Sequence, residues 1–237
     1  LLNNTAPQTV QSSVRLDGRP PPLSGPLGSA VGGLGVCAPL YASAGSVVAN
    51  PSVLLLGGGG CALPPVLRRA LGATVTAVEP DDEVRSIACE YFDASCELVG
   101  GCGAEAVAKA GDRSFDLVVV DAADGTGAPP AALSTPAFFA DVGRVLTEPA
   151  VLAVNVVARD AETLARVRDA AACVGGELFE CELPAPLVAE GSPDFARLLF
   201  AVRGDALPSL AGHPLLAHVD AGELWARGFR RLWRWWV

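Results

Sequence analysis

The spacing of apolar and polar residues changes character at residue 52. Before it, residues 1–45 are dotted with Pro, Gly and Ser, and Arg19-Pro20-Pro21-Pro22 cannot be helix interior. This stretch reads as an arm laid over a domain. From residue 52 onward, short apolar runs alternate with amphipathic segments. Val53–Leu56 is a buried-type run that ends in four glycines, Gly57 to Gly60. Residues 62–71 read as a helix, with Pro64 and Pro65 tolerated in its first turn. Residues 74–78 form a second strand that ends at Glu79, and residues 82–92 a helix with acids in its first turn.

The alternation continues. A weak strand is expected over 96–99, a short helix over 104–110, and a strong strand over 115–120 that ends at Asp121. A Gly/Pro-marked loop leads to a helix over 136–146. The most apolar strand spans 150–157, followed by a helix over 162–174. Strands over 178–183 and 195–202 close the pattern as an antiparallel edge hairpin. The predicted fold is α/β: a Rossmann-like, doubly wound, mostly parallel seven-stranded sheet. Three regions follow: the arm (1–45), a ligand-binding domain (46–205) and a tail (206–237). In the tail, Trp225, Phe229, Leu232, Trp233 and Trp236 keep helical spacing, with Arg227, Arg230, Arg231 and Arg234 between them. That spacing predicts an amphipathic helix docked on its own domain; a partner or membrane-surface contact is the sharper alternative.

Charge and cysteine usage narrow the classes. The chain has 237 residues and a net charge of -9, which argues against a general nucleic-acid binder. No apolar run reaches the roughly 18 residues of a membrane span. Seven cysteines at irregular spacing, without C-x-x-C, suggest neither a disulfide framework nor a zinc site. They are expected to be reduced and mostly in the core, in an intracellular compartment, cytoplasmic or organellar. The chain has no Met, so Leu1 reads as the start of a processed chain or fragment, and any targeting segment would lie upstream.

Three places carry chemistry. The glycine turn between a strand and a helix lets backbone approach a ligand closely. It lacks the Lys and Ser/Thr of a nucleoside-triphosphate loop. Glu79, at the end of the second strand, can accept the hydroxyls of a ribose. Asp121 and Asp124 end the fourth strand, and carboxylates there can hold an amine and take up its proton.

With these motifs in place, Leu54–Leu63 (LLLGGGGCAL), Thr76–Glu83 (TAVEPDDE) and Phe115–Phe139 resemble the spermidine-synthase-like class I methyltransferases. The C-terminal domain of the enzyme that methylates the N-terminus of an elongation factor is the nearer resemblance. It rests on Val10–Leu16, Leu63-Pro64 and Val154–Asp160. The resemblance spans roughly residues 8 to 205 and implies S-adenosylmethionine as cofactor. Gly57, Gly58 and Gly59 would face its amino-acid end and ribose. Glu79, followed by Pro80, would hold the ribose. Cys102 and Gly103 would lie beside the adenine, and Asp121 nearest the transferred group. No metal is implied.

The chain also departs from the family pattern. Cys102 replaces an acid, Gly60 replaces an acidic loop residue, and Gly125 rather than Pro follows Asp124. The segment with which aminopropyltransferases bind a diamine is missing. The favoured reading is methyl transfer to an amine of a protein substrate, and the acidic chain suits a basic partner. A non-catalytic scaffold in a larger complex is second, and a polyamine aminopropyltransferase third. A dehydrogenase is more distant, lacking a substrate domain and a catalytic His or Tyr–Lys arrangement. Expected partners are that protein substrate or complex subunits, with a homodimer as the candidate self-assembly.

Overall fold

The computed structural model describes residues 37, 41, 49–92, 94, 96–124, 129–158, 160–182, 195–204 and 229–232. Their strands are β1 (Ser52–Leu56), β2 (Thr74–Glu79), β3 (Glu97–Gly100), β4 (Phe115–Val120), β5 (Leu146–Ala158), β6 (Glu177–Glu182), β7 (Phe195–Arg203) and β8 (Phe229–Leu232). The helices are α1 (Leu63–Leu71), α2 (Asp82–Tyr91), α3 (Gly103–Lys109), α4 (Pro136–Val145) and α5 (Ala161–Ala171). One sheet contains all the strands in the order β3-β2-β1-β4-β5-β7-β6-β8. The first five are parallel, while β7 runs antiparallel between β5 and β6. The seven expected strands and the antiparallel hairpin are present, and β8 adds a short eighth.

Strand alternation builds two cores. Val53, Leu55, Val75, Ala77, Leu117 and Val119 face one side, with Leu63 and Leu67 of α1 and Ala88 of α2. Leu54, Leu56, Val78, Val118 and Val120 face the other, with Val107 of α3, Phe139 and Val142 of α4, and Leu164 and Val167 of α5. A parallel sheet covered on both faces explains why its strands read as continuous apolar runs. Cys37 and Tyr41, the two described residues of the N-terminal stretch, are buried in the first core.

The helix ends follow local chemistry. Gly72 ends α1 in the left-handed region (φ 67), its N–H bonding the Arg68 carbonyl. Asp81 caps α2 by accepting from the N–H groups of Glu83 and Val84. Thr135 caps α4 and Asp160 caps α5 in the same way.

Strand β5 begins four residues earlier than the sequence pattern suggests. Phe115 pairs with Leu146 but Leu117 with Val151, so the residues between bulge from the ladder. Asp116 sits at this bulge, accepting from the Ser52 N–H (2.8 Å) and the Thr147 hydroxyl (2.9 Å). Its carboxylate is used in holding strand starts together, at the end of the sheet away from the glycine turn.

Two expectations are corrected. Phe229–Leu232 is strand, not part of a helix, pairing antiparallel with β6 from Leu178↔Leu232 to Cys181↔Phe229. The edge of β6 offers a row of open backbone groups, and satisfying them outweighs local helical spacing. The remainder of the tail lies outside the described residues. The cysteines are not mostly core: Cys37 and Cys61 are buried, but Cys89, Cys102 and Cys173 are exposed and Cys96 is half-buried. A thiol is small and weakly polar, so it tolerates helix surfaces and loop ends as well as the interior. All six of these are free thiols. No described helix is long and apolar enough to cross a membrane.

Candidate functional site

The chain runs outward from β1 to β2 and β3, then returns to place β4 on the other side of β1. The strand order therefore reverses between β1 and β4, and the carboxyl ends at such a switch point are where α/β sheets bind ligands. Gly57, Glu79, Gly100 and Asp121 stand at or just past the carboxyl ends of β1, β2, β3 and β4 respectively.

The glycine turn is built on its neighbours. The N–H groups of Gly57 and Gly58 donate to the Val78 carbonyl at 2.9 and 3.3 Å. Gly57 has φ +92, and a Cβ there would lie 2.5 Å from the Asp121 carbonyl oxygen and 2.8 Å from Ala122 Cα. Backbone meets backbone at this point, and only glycine fits. Gly59 has φ +47 and open space where its Cβ would be. Gly59 is half-buried, and the open space beside its Cα is where a ligand can approach the turn. The chain leaves through Cys61, at φ 53, whose N–H bonds the Gly58 carbonyl at 2.8 Å.

Glu79 is 9% exposed. One carboxylate oxygen accepts from the Gly59 N–H at 3.0 Å, the other from the Asp81 N–H at 3.2 Å. The side chain thus ties the glycine turn to the start of α2. Arg85 donates to the Glu79 carbonyl at 2.6 Å, pairs with Asp82, and lies against Gly100, where a Cβ would meet its guanidinium at 2.8 Å. Pro80 is exposed beside it.

Asp121 leaves β4 with its N–H bonded to the Leu56 carbonyl at 2.8 Å. Its carboxylate accepts from the Asn155 side-chain amide of β5 at 2.9 Å. Burial pushes the Asp121 carboxyl up from 3.8 to about 6, against the opposing pull of the Asn155 hydrogen bond. The Asn155 side-chain oxygen is buried and, among the described residues, has no hydrogen-bond partner.

The structure brings Gly57, Gly58, Glu79 and Asp121 together. Gly103 opens α3 next to them, its Cβ position 3.4 Å from Leu56 and 3.5 Å from Leu133. Cys102 is exposed at the N-cap of α3, and its side chain makes no capping bond. Asp124 is exposed, outside this buried group. Sequence reasoning gave no role to Asn155 or Arg85. Asn155 had a signal: it is the one polar side chain within the apolar run 150–158.

No sequence profile of a known family matches the chain. A polyamine aminopropyltransferase of Nitrosococcus oceani is 33% identical over 109 residues, a match covering 42% of this chain and 38% of that protein. Among solved structures, a probable spermidine synthase from Corynebacterium glutamicum superposes with a TM-score of 0.64 at 16% identity, covering 81% of this chain and 70% of that one. Human methyltransferase-like protein 13, in complex with SAH, superposes with a TM-score of 0.60 at 20% identity, covering 87% and 93%. The fold is that of the spermidine-synthase-like class I methyltransferases.

In this methyltransferase-like fold, Asp121 and Asn155 form a pair across β4 and β5 with a clear electrostatic consequence. The Asn155 amide lowers the Asp121 carboxyl from where burial alone would put it. Asn155→Ala is therefore expected to move the Asp121 carboxyl above 6, read directly by carbon-detected NMR titration of that side chain. An unchanged or lower value would mean that the amide does not stabilise the carboxylate.

Proposed function

We propose that the chain is an S-adenosylmethionine-dependent methyltransferase acting on an amine of a protein substrate. One observation carries the reading: a half-buried carboxylate, Asp121, held by the Asn155 amide, stands at the switch point beside the glycine turn. Its raised carboxyl suits a group that takes up a proton near neutral pH.

The residues present fit the implied cofactor. Each Glu79 oxygen has one backbone donor. A carboxylate has about four acceptor sites, so capacity remains for ribose hydroxyls. Gly59 leaves open space beside its Cα, with its N–H given to Glu79. Pro64 and Pro65 occupy the first turn of α1 and lack N–H groups, which removes donors that a dinucleotide pyrophosphate would use. Glu79 and Asp121 instead favour a cation. When bound, S-adenosylmethionine supplies an electrophilic methyl group on a sulfonium.

The chain's own residues would position the acceptor. Asp121 accepts a hydrogen bond from the amine and orients its lone pair, and Asn155 holds Asp121. During transfer to the amine, its proton would pass to the Asp121 carboxylate and from there to solvent. Proximity and orientation supply most of the rate. Cys102 and Gly103 would flank the adenine through backbone, since the Cys102 side chain is turned to solvent.

The second reading, aminopropyl transfer to a diamine, is favoured by the identity to the Nitrosococcus protein. Against it, Asp124, the second carboxylate of the loop, is exposed and stands apart from the Asp121–Asn155 pair. The test is transfer of labelled methyl from S-adenosylmethionine to proteins of cells lacking this chain. Label recovered in N-methylated amino acids is expected. Label absent there, with propylamine transfer from the decarboxylated cofactor to a diamine, would replace the reading with polyamine synthesis.

A further inference from the structure

Outside the crevice carboxylates, one cluster of reactive side chains stands out, and it does not depend on the methyltransferase reading. The sulfurs of Cys61 and Cys96 lie 3.8 Å apart. Thirty-five positions separate them in sequence, with α1, β2 and α2 between. We propose that Cys61 and Cys96 are an oxidisable pair that closes a reversible disulfide between the exit of the glycine turn and the start of β3.

The placement of the two thiols supports this. A disulfide needs its sulfurs at about 2.05 Å. The remaining approach, under 2 Å, is within the reach of side-chain rotation with small backbone movement. Cys61 is buried, 1% exposed, at a left-handed backbone position. Cys96 is half-buried, so an oxidant can reach it from solvent. The hydrogen bond between the pair and the nearby Arg68 charge lower the Cys96 thiol, while the same contact and burial raise Cys61. Cys96 is therefore the thiolate that reacts, and Cys61 the thiol that resolves. No group of three or more metal-ligating side chains occurs among the described residues, so a metal site does not compete for these sulfurs there.

With hydrogen peroxide as oxidant, the Cys96 thiolate attacks one peroxide oxygen, giving the sulfenic acid and, after protonation, one water. The Cys61 sulfur then attacks the Cys96 sulfur. Hydroxide leaves and takes the Cys61 proton as a second water. Two electrons pass from the two sulfurs to the peroxide. A small dithiol returns both to thiols by exchange.

The experiment treats the full native chain with hydrogen peroxide, blocks remaining thiols by alkylation and maps peptides by mass spectrometry. The expected product is a Cys61–Cys96 linked peptide, lighter by two hydrogens, abolished by dithiothreitol. It should persist in Cys89→Ser and disappear in Cys96→Ser. The half-buried position of Cys96 makes that variant the safer test; should it fail to fold, Cys61→Ser serves in its place. Thermal melting gives a second readout: the oxidised wild-type chain should melt higher than the reduced chain, with no such rise in the Cys96→Ser variant. Recovery of both Cys61 and Cys96 as alkylated thiols, while Cys89, Cys102 or Cys173 is oxidised, would overturn the proposal. So would a link between any other pair of cysteines.

Discussion

Asp121→Asn is expected to stabilise the fold while removing most of the proposed methyl-transfer activity. The Asp121 carboxyl stands at about 6 in the folded chain, above its ordinary 3.8. Between those values the folded state holds a proton that the unfolded chain has released. Stability from this group is therefore full at low pH and lost as pH rises through 6. Above that, the charged folded state carries a burden of about 3 kcal/mol. Asparagine carries no charge and can still accept from the Asn155 amide through its own oxygen. The variant should melt roughly 5–10 °C higher than wild type at pH 8. The gain should shrink toward pH 4, where the wild-type carboxyl is protonated too. Loss of the base should lower kcat/KM on the order of 10²–10⁴-fold, with S-adenosyl ligand affinity changed only a few-fold. A variant that melts lower at pH 8, or keeps full turnover, would contradict this account of Asp121. The trade of stability for a poised active group is common at functional sites.

Gly57→Ala should be the most damaging single-methyl change in the glycine turn. The new Cβ would sit 2.5 Å from the Asp121 carbonyl oxygen and 2.7 Å from its carbon, at φ +92. These neighbours are backbone atoms just past the end of the central strand β4, so they cannot swing aside. The left-handed conformation alone costs an L-residue about 1 kcal/mol or more, and the forced separation of strand ends adds to it. A total of about 3 kcal/mol or more would lower the melting temperature by roughly 10 °C. Gly59→Ala is the internal control. It has no atom within 4 Å of its Cβ position and φ +47. It should cost only about 1 kcal/mol in stability, yet weaken ligand binding because its methyl enters the crevice. Differential scanning calorimetry of the two variants checks the contrast; equal melting temperatures would mean that the Gly57–Asp121 approach is not tight in solution.

The features legible in the sequence share one property: they are local. Val53–Leu56 followed by glycines, and Phe115–Val120 followed by Asp121, each declare a buried strand and its end within ten residues. The parallel order then follows from chain connectivity, and the sheet places Glu79 and Asp121 on either side of β1. What escaped sequence reasoning depends on partners distant along the chain. Phe229–Leu232 has helical spacing, but the open edge of β6 decides its conformation. Asn155 looks like an isolated polar residue in a strand until Asp121, 34 positions away, is seen across from it. Cys61 and Cys96 share no spacing motif and meet because the sheet sets β1, whose exit turn holds Cys61, two strands from β3, which Cys96 precedes. Early pairing in β5 is hidden by the bulge at 147–150, which interrupts the apolar run.

The central claim is that the crevice between β1 and β4 holds an S-adenosyl ligand through Glu79 and the glycine turn. Calorimetric titration of the full chain with S-adenosylmethionine, S-adenosylhomocysteine and decarboxylated S-adenosylmethionine tests it most directly. The account predicts micromolar binding of the first two, about -8 kcal/mol, weak binding of the third, and at least about a tenfold loss in Glu79→Ala. Tighter binding of the decarboxylated form would move the chain to aminopropyl transfer. Absence of binding by all three would contradict the claim and leave a methyltransferase fold serving as a scaffold.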